Sequence, residues 1–112
     1  MEGKADLHTH TTYSDGVLSP YELIKKANES GLEVLGITDH DSVNAIDDSI
    51  EIGKELGVEI IPGVELSAVI EDREIHILGY LFDYRNKNLL DSLAFFRKER
   101  VKRAERIVEK LN

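Results

Sequence analysis

The sequence predicts an α/β fold built around a parallel sheet. Three observations carry that expectation. Short apolar runs alternate with helix-period segments in the order strand, helix, strand, helix, strand, the pattern of parallel crossover units. The early runs end in clusters of histidine and carboxylate, where loops at the C-terminal ends of parallel strands build sites. The chain then closes with one long basic helix.

Ala5 to His10 reads as the first strand, and side chains that alternate with period two send His8 and His10 from one face. Asp15 follows in the Ser14-Asp15-Gly16 turn, within reach of the same cavity. Ser19 and Pro20 mark the N-cap and first position of a helix whose apolar face is Leu23, Ile24 and Ala27, ending near Gly31. Val34 to Thr38 is a buried strand that delivers Asp39, His40 and Asp41 at its end. A second helix is expected from Ser42 or Asn44 to about Leu56, stopped by Gly57, with Ala45, Ile46, Ser49, Ile50, Gly53 and Leu56 facing inward.

Val58 to Ile61 reads as the third strand, interrupted by Pro62-Gly63 before Val64 to Ser67. Val69-Ile70, the polar turn Glu71 to Glu74 and Ile75 to Leu81 form a hairpin that can place Glu65 and His76 on one face. From about Lys87 to Leu111 a single helix carries Leu89, Leu90, Leu93, Phe96, Val101, Ala104, Ile107, Val108 and Leu111 at apolar positions. Its remaining faces, crowded with Arg and Lys, read as a solvated surface supported by Glu/Arg pairs rather than as a phosphate-binding patch.

The 112 residues suit one domain, divided into an α/β unit over 1–84 and an amphipathic basic helix over 85–112. The net charge of -8 is uneven: residues 1–84 hold 18 acidic and 5 basic side chains, and residues 85–112 hold 4 and 9. The acidic part repels long nucleic acid unless bound cations offset it. There is no cysteine, so disulfides, thiolate ligands and cysteine nucleophiles are excluded together. No apolar run approaches the roughly 20 residues needed to span a bilayer, and no signal peptide is evident, so a soluble cytoplasmic protein without membrane partners is expected.

All four histidines, His8, His10, His40 and His76, fall in strands or at strand ends, mostly beside a carboxylate. Imidazole and carboxylate without sulfur suit Zn, Mn or Fe. A carboxylate between two ions can bridge them at roughly 3.5 to 4 Å, the spacing of two-metal hydrolases. The chemistry implied is metal-assisted hydrolysis, with a phosphate ester as the expected substrate. No Gly-rich phosphate loop, Ser-His-Asp pattern or dinucleotide fingerprint competes with it.

Asp-Leu-His-Thr-His at 6–10, Ser-Asp-Gly at 14–16, Ile-Thr-Asp-His-Asp at 37–41, Pro-Gly-Val-Glu at 62–65 and Glu-Ile-His-Ile-Leu-Gly at 74–79 together resemble the polymerase and histidinol phosphatase (PHP) family. Within it they look most like the branch of 3′,5′-nucleoside bisphosphate phosphatases and 5′-to-3′ exoribonucleases. The resemblance implies the N-terminal part of a distorted β/α barrel, with about five strands, two crossover helices and the long C-terminal helix. It implies up to three divalent ions in intact relatives. His8 and His10 match ligands of the first, with Glu65 bridging to a second that His76 also binds. Asp15 and His40 match ligands of a third.

Asp39 and Asp41 match positions that support such a site, and Asp39 is read as either orienting a histidine or capping the next helix. Tyr13 reads as packing. A later histidine and a C-terminal Asp-x-His, which the family contributes, have no counterpart after His76. The first ion, with His8, His10 and Glu65, is therefore the one expected to be held firmly, and activity of the chain alone is left open. The function expected is that of a metal-dependent phosphoesterase, or of its N-terminal metal-binding part, acting on a small phosphorylated substrate or a nucleotide. A non-catalytic metal-stabilised or oligomerisation module and a polymerase-associated proofreading nuclease are the alternatives. An open half barrel, with a free edge and uncovered apolar surface, also suggests self-association.

Overall fold

A computed structural model of the chain describes the backbone of residues 4–80 and 83–111, and the side chains of these except at 68, 70 and 107–111. The elements in order are β1 (Ala5–Thr9), α1 (Pro20–Glu29), β2 (Val34–Ile37), α2 (Ile46–Leu56), β3 (Glu59–Ile70), β4 (Arg73–Tyr80) and α3 (Lys87–Leu111). Leu81, expected to end the last strand, lies outside the described residues, as do the side chains of the expected apolar positions Ile107, Val108 and Leu111.

The strands form one sheet in the order β1-β2-β3-β4. β1 and β3 each pair parallel with β2, and β4 pairs antiparallel with β3. In a flat sheet the outer strands would stand three spacings apart, roughly 14 Å. Yet the Tyr80 hydroxyl of β4 donates to the Leu7 carbonyl of β1 at 2.8 Å. The sheet must therefore curl, and it forms a half barrel.

Two expectations are corrected here. The sheet has four described strands rather than five, because β3 runs without a break through Pro62-Gly63. Its first residues pair with β2 as far as Pro62, and from Gly63 onward it pairs with β4. Proline, with φ locked near -65°, can continue an extended strand where neighbours change. The second helix begins at Ile46, later than Ser42 or Asn44. The Ser42 hydroxyl accepts the Asn44 N–H in a local turn, and Val43 and Ala45 are buried there, so these residues fill the core before the helix starts.

Each remaining element has a local cause. Ser19 and Glu22 form a reciprocal capping box at the start of α1, with Pro20 in the first turn. Gly57 ends α2 in the left-handed conformation at φ 75°, where its N–H bonds the Gly53 carbonyl. Glu71 and Asp72, with φ of 50° and 64°, make the two-residue turn between β3 and β4, whose twist matches that of the strands.

Ile24 and Ala27 of α1, Leu35 and Ile37 of β2, Ile46 of α2 and Ile60 and Val64 of β3 share one buried core with Leu93 of α3. Leu93 is completely buried and, with half-buried Leu89, ties α3 to this core. Glu65, Ser67, His76, Leu78 and Tyr80 project from the other face of the β3–β4 pair, since register partners share a side. Among the described residues no helix is long and apolar enough to cross a membrane.

The packing of α2 on β3 makes one glycine indispensable. A Cβ at Gly53 would collide with the Val58 carbonyl oxygen and come within 2.8 Å of Ile60 Cγ1. Alanine is the better helix former by about 1 kcal/mol, but overpacking costs about 1–3 kcal/mol. Gly53→Ala is expected to destabilise the chain, measured as a lower urea midpoint; an unchanged or higher midpoint would refute this packing argument.

Candidate metal centre

Four imidazoles lie in a row across the concave face. Ring centroids are separated by 5.2 Å for His8 and His10, 4.4 Å for His10 and His40, and 5.5 Å for His40 and His76. The fold draws them from three places in the sequence. His8 is in β1 and His10 just after it, His40 follows β2, and His76 is in β4 opposite Ser67 of β3.

Glu65 is the hub. Its side chain is only 6% exposed and its two oxygens face every ring. Oε1 lies 2.6 Å from His8 Nε2 and 3.4 Å from His10 Nε2. Oε2 lies 3.1 Å from His40 Nδ1 and 2.8 Å from His76 Nδ1. The backbone of the same residue stitches strand ends together: Glu65 N–H donates to the Asp39 carbonyl at 3.0 Å and its carbonyl accepts Asp41 N–H at 2.9 Å.

Asp15 closes the other side, 2.6 Å from His10 Nδ1 and 3.0 Å from His40 Nε2. Its loop is tight. Gly16 N–H bonds the Thr11 carbonyl at 2.9 Å, and a Cβ at Gly16 would strike the His10 carbonyl. Burial pushes both carboxyls up, but their imidazole neighbours outweigh it. His10 and His40 hold Asp15 below its ordinary value of 3.8, and hydrogen bonds to His76 and His8, with the charges of His40 and His10, hold Glu65 below 4.5.

The six residues form three overlapping triads whose ligand atoms lie within 4.8 Å of one another: His8, His10 and Glu65; His10, Asp15 and His40; His40, Glu65 and His76. The first is the set expected from the sequence. The other two pairs, Glu65 with His76 and Asp15 with His40, each gain a third candidate, His40 and His10 respectively. They are not three independent sites, because a neutral imidazole offers one lone pair and His10 and His40 each belong to two triads. His10 Nε2 bears on whether a cation fits. It is buried without a hydrogen-bond partner, since its 3.4 Å contact with Glu65 lacks hydrogen-bond geometry. A buried unpaired nitrogen is costly unless another partner satisfies it, and a divalent ion among nitrogen and oxygen donors would.

Asp39 and Asp41 touch the centre differently from either expectation for Asp39. The buried Asp39 carboxylate accepts Thr11 N–H at 2.6 Å, Thr11 Oγ1 at 2.7 Å and Ser14 Oγ at 2.7 Å. Among the described residues it neither orients a histidine nor caps α2. It fastens the loop that carries His10 and Asp15. Asp41, fully buried in the left-handed region at φ 49°, accepts Ser67 N–H at 3.1 Å.

Two features escaped the sequence reading. Ser67, buried, places its hydroxyl 3.3 Å from His40 Nδ1; its position two residues after Glu65 on a strand was the available signal. Arg97 and Arg100 turn from α3 onto Asp41, at 2.7 Å to its carbonyl and 3.4 Å to Oδ2. The solvated-surface expectation for the helix therefore does not extend to these two residues.

Two measurements probe this scaffold in the metal-free chain. Asp39→Ala strands the buried Thr11 N–H, so it is expected to cost about 1–3 kcal/mol and to speed hydrogen exchange at Thr11 more than at Ile37; equal exchange in parent and variant would refute the loop assignment. The lowered carboxyls Asp15 and Glu65 contribute stability that is present above their ordinary values of 3.8 and 4.5 and is lost as pH falls through their folded-state values. Thermal melts should show a shallower acid dependence in Asp15→Asn than in the parent.

The chain matches the PHP domain over residues 6–111. It is 45% identical to a 5′-3′ exoribonuclease of Haemophilus influenzae over 99% of its own length and 40% of the relative's. It is 31% identical to a 3′,5′-nucleoside bisphosphate phosphatase of Chromobacterium violaceum, over 91% of this chain and 36% of that one. A crystal structure of a candidate metal-dependent phosphoesterase from Bifidobacterium adolescentis superposes with a TM-score of 0.86 at 34% identity, covering 99% of this chain and 39% of that one. The chain thus spans about two fifths of the length of these relatives. The motifs, the half-barrel fold and these matches agree: this chain belongs to the PHP domain family.

Proposed function

We propose that the chain is the metal-holding part of a metal-dependent phosphoesterase that hydrolyses a phosphate ester of a nucleotide or small phosphorylated metabolite. The observation that carries this reading is the convergence of His8, His10, His40 and His76 on the two carboxylates Glu65 and Asp15. Structural ion pairs seldom place four imidazoles around one nearly buried carboxylate. The relatives support the substrate class, since one is a ribonuclease and another a nucleoside bisphosphate phosphatase.

His8, His10 and Glu65 would hold one ion, with Glu65 able to reach a second through its other oxygen beside His40 and His76. Asp15 would serve a further ion with His40 or His10. A divalent ion supplies Lewis-acid charge for a phosphoryl oxygen and lowers the pKa of a bound water. Everything else falls to the protein. Glu65 and Asp15, both lowered in pKa, stay anionic and so remain ready as ligands. Asp39 holds the His10–Asp15 loop in place, so little ordering is left for the moment of binding. Glu74 Oε1 lies 3.3 Å from His76 Nε2, on the far side of the ring whose Nδ1 meets Glu65 Oε2 at 2.8 Å.

Metal analysis of the chain after equilibration with manganese or zinc tests this reading. Stoichiometric binding is expected, weakened about 100-fold or more by Glu65→Ala, beyond the 10–100-fold typical of losing an outer partner of a ligand. Phosphate release from p-nitrophenyl phosphate, where present, should stop on chelation and in His8→Ala. Metal binding that Glu65→Ala leaves untouched, or hydrolysis indifferent to both chelator and His8→Ala, would overturn the proposal.

A further inference from the structure

The ring of His40 is wedged between two carboxylates. Nε2 lies 3.0 Å from Asp15 Oδ2, and Nδ1 lies 3.1 Å from Glu65 Oε2. A neutral imidazole has one N–H and one lone pair, so only one of these edges can serve a cation. The two carboxylates alone leave that choice open, and a third oxygen decides it.

Ser67 supplies that oxygen. Glu65 and Ser67 are two residues apart on β3 and share a face, so both address the Nδ1 edge of His40. Ser67 Oγ stands 3.3 Å from Nδ1 and, unlike the Glu65 contact, meets it with hydrogen-bond geometry. Ser67 is buried, and among the described residues His40 is the partner its hydroxyl has. Its main chain is fixed separately, through Ser67 N–H donating to Asp41 Oδ1 at 3.1 Å. The hydroxyl is therefore not needed to hold the strand.

The direction of this bond follows from the neighbours. A hydroxyl can accept the Nδ1 proton or donate to the Nδ1 lone pair. Donation would set that lone pair against Glu65 Oε2, an anionic oxygen on a side chain only 6% exposed. Burial leaves such an opposition poorly screened. Acceptance places the Nδ1 proton between two oxygens instead. The lone pair then lies at Nε2, facing Asp15, whose side chain is 56% exposed and better screened by water.

We propose that Ser67 is a positioning residue: its hydroxyl accepts Nδ1–H of His40 and so commits Nε2, together with Asp15, to a divalent ion. His40 thereby leaves the set with Glu65 and His76, and its sharing between two triads is resolved toward the one with His10 and Asp15. The ion rests on the phosphoesterase reading of the centre. The direction of the hydrogen bond does not, and the two can be measured apart.

In the metal-free chain, long-range 1H–15N NMR at a pH where the ring is neutral reports which nitrogen of His40 carries the proton. The parent is expected to hold it on Nδ1. Ser67→Ala should move part of the population to the Nε2–H form, and Ser67→Thr, which keeps the hydroxyl, should retain the Nδ1–H form. Lost packing alone would not exchange the two forms. Zinc titrations followed by calorimetry should show affinity weakened about 10–100-fold by Ser67→Ala, the usual cost of removing an outer partner of a ligand, and recovered in Ser67→Thr.

Thermal melts of each variant accompany these measurements, and Ser67→Cys, whose sulfur hydrogen-bonds only weakly, serves where Ser67→Ala unfolds. A proton on Nε2 of His40 in the metal-free parent overturns the assignment without any variant. So does a ring whose proton Ser67→Ala or Ser67→Cys leaves in place, or zinc affinity that the same variant leaves unchanged. If zinc fails to bind the parent while the Ser67-dependent Nδ1–H form persists, the hydrogen-bond assignment stands and the metal reading falls.

Discussion

One nearly buried carboxylate organises this protein. Glu65 meets imidazoles from β1, from the end of β2 and from β4, while its own N–H and carbonyl bond the residues either side of His40. Ionised and desolvated, such a group would be costly by itself. Four nitrogen neighbours compensate, and they leave its carboxyl more acidic than usual rather than less. The half-barrel curl, the order of the strands and the position of Pro62-Gly63 all serve to bring those neighbours around it.

Around that hub the protein uses two aspartates as fasteners rather than as ligands. Asp39 ties the loop after β1, and Asp41 ties β3 and α3, one residue to each side of His40. The alternation Asp39-His40-Asp41 past the end of β2 thus sends the ligand candidate one way and its supports the other. Asp41 accepts a left-handed backbone conformation to do so, which aspartate tolerates better than most side chains. Rigid support of this kind is what a metal or a phosphate needs if binding is not to pay for ordering first.

Most of the site was legible because its parts are local. His8 and His10 two apart on a strand, Asp15 before a glycine, and His40 at the end of an apolar run can each be read from short windows. The polar turn expected at Glu71 to Glu74 made the neighbourhood of Glu65 and His76 readable too, although the structure narrows it to Glu71-Asp72 and pairs Arg73 and Glu74 within β4. What could not be read is whatever depends on distances between elements. That His10 and His40 are shared between triads follows from a 4.4 Å ring separation set by the packing of β1 beside β2. The inward turn of Arg97 and Arg100 is of the same kind, because a helix rich in Arg and Lys does not disclose which of them its neighbours will face.

The sequence by itself determined the α/β class and the ordering of the motifs, and the resemblance those motifs carry named the six residues of the centre. The class comes from periodicity and turn chemistry, and the six residues from motif order, all written along the chain. Only the tertiary structure decided that β3 is one unbroken strand, that Asp39 grips a loop instead of a histidine or a helix end, and that the sheet curls until Tyr80 touches Leu7. Those outcomes follow from closing the sheet and seating Leu93 of α3 in the common core. Burial and closure depend on contacts between residues up to 73 positions apart, and no local pattern specifies them.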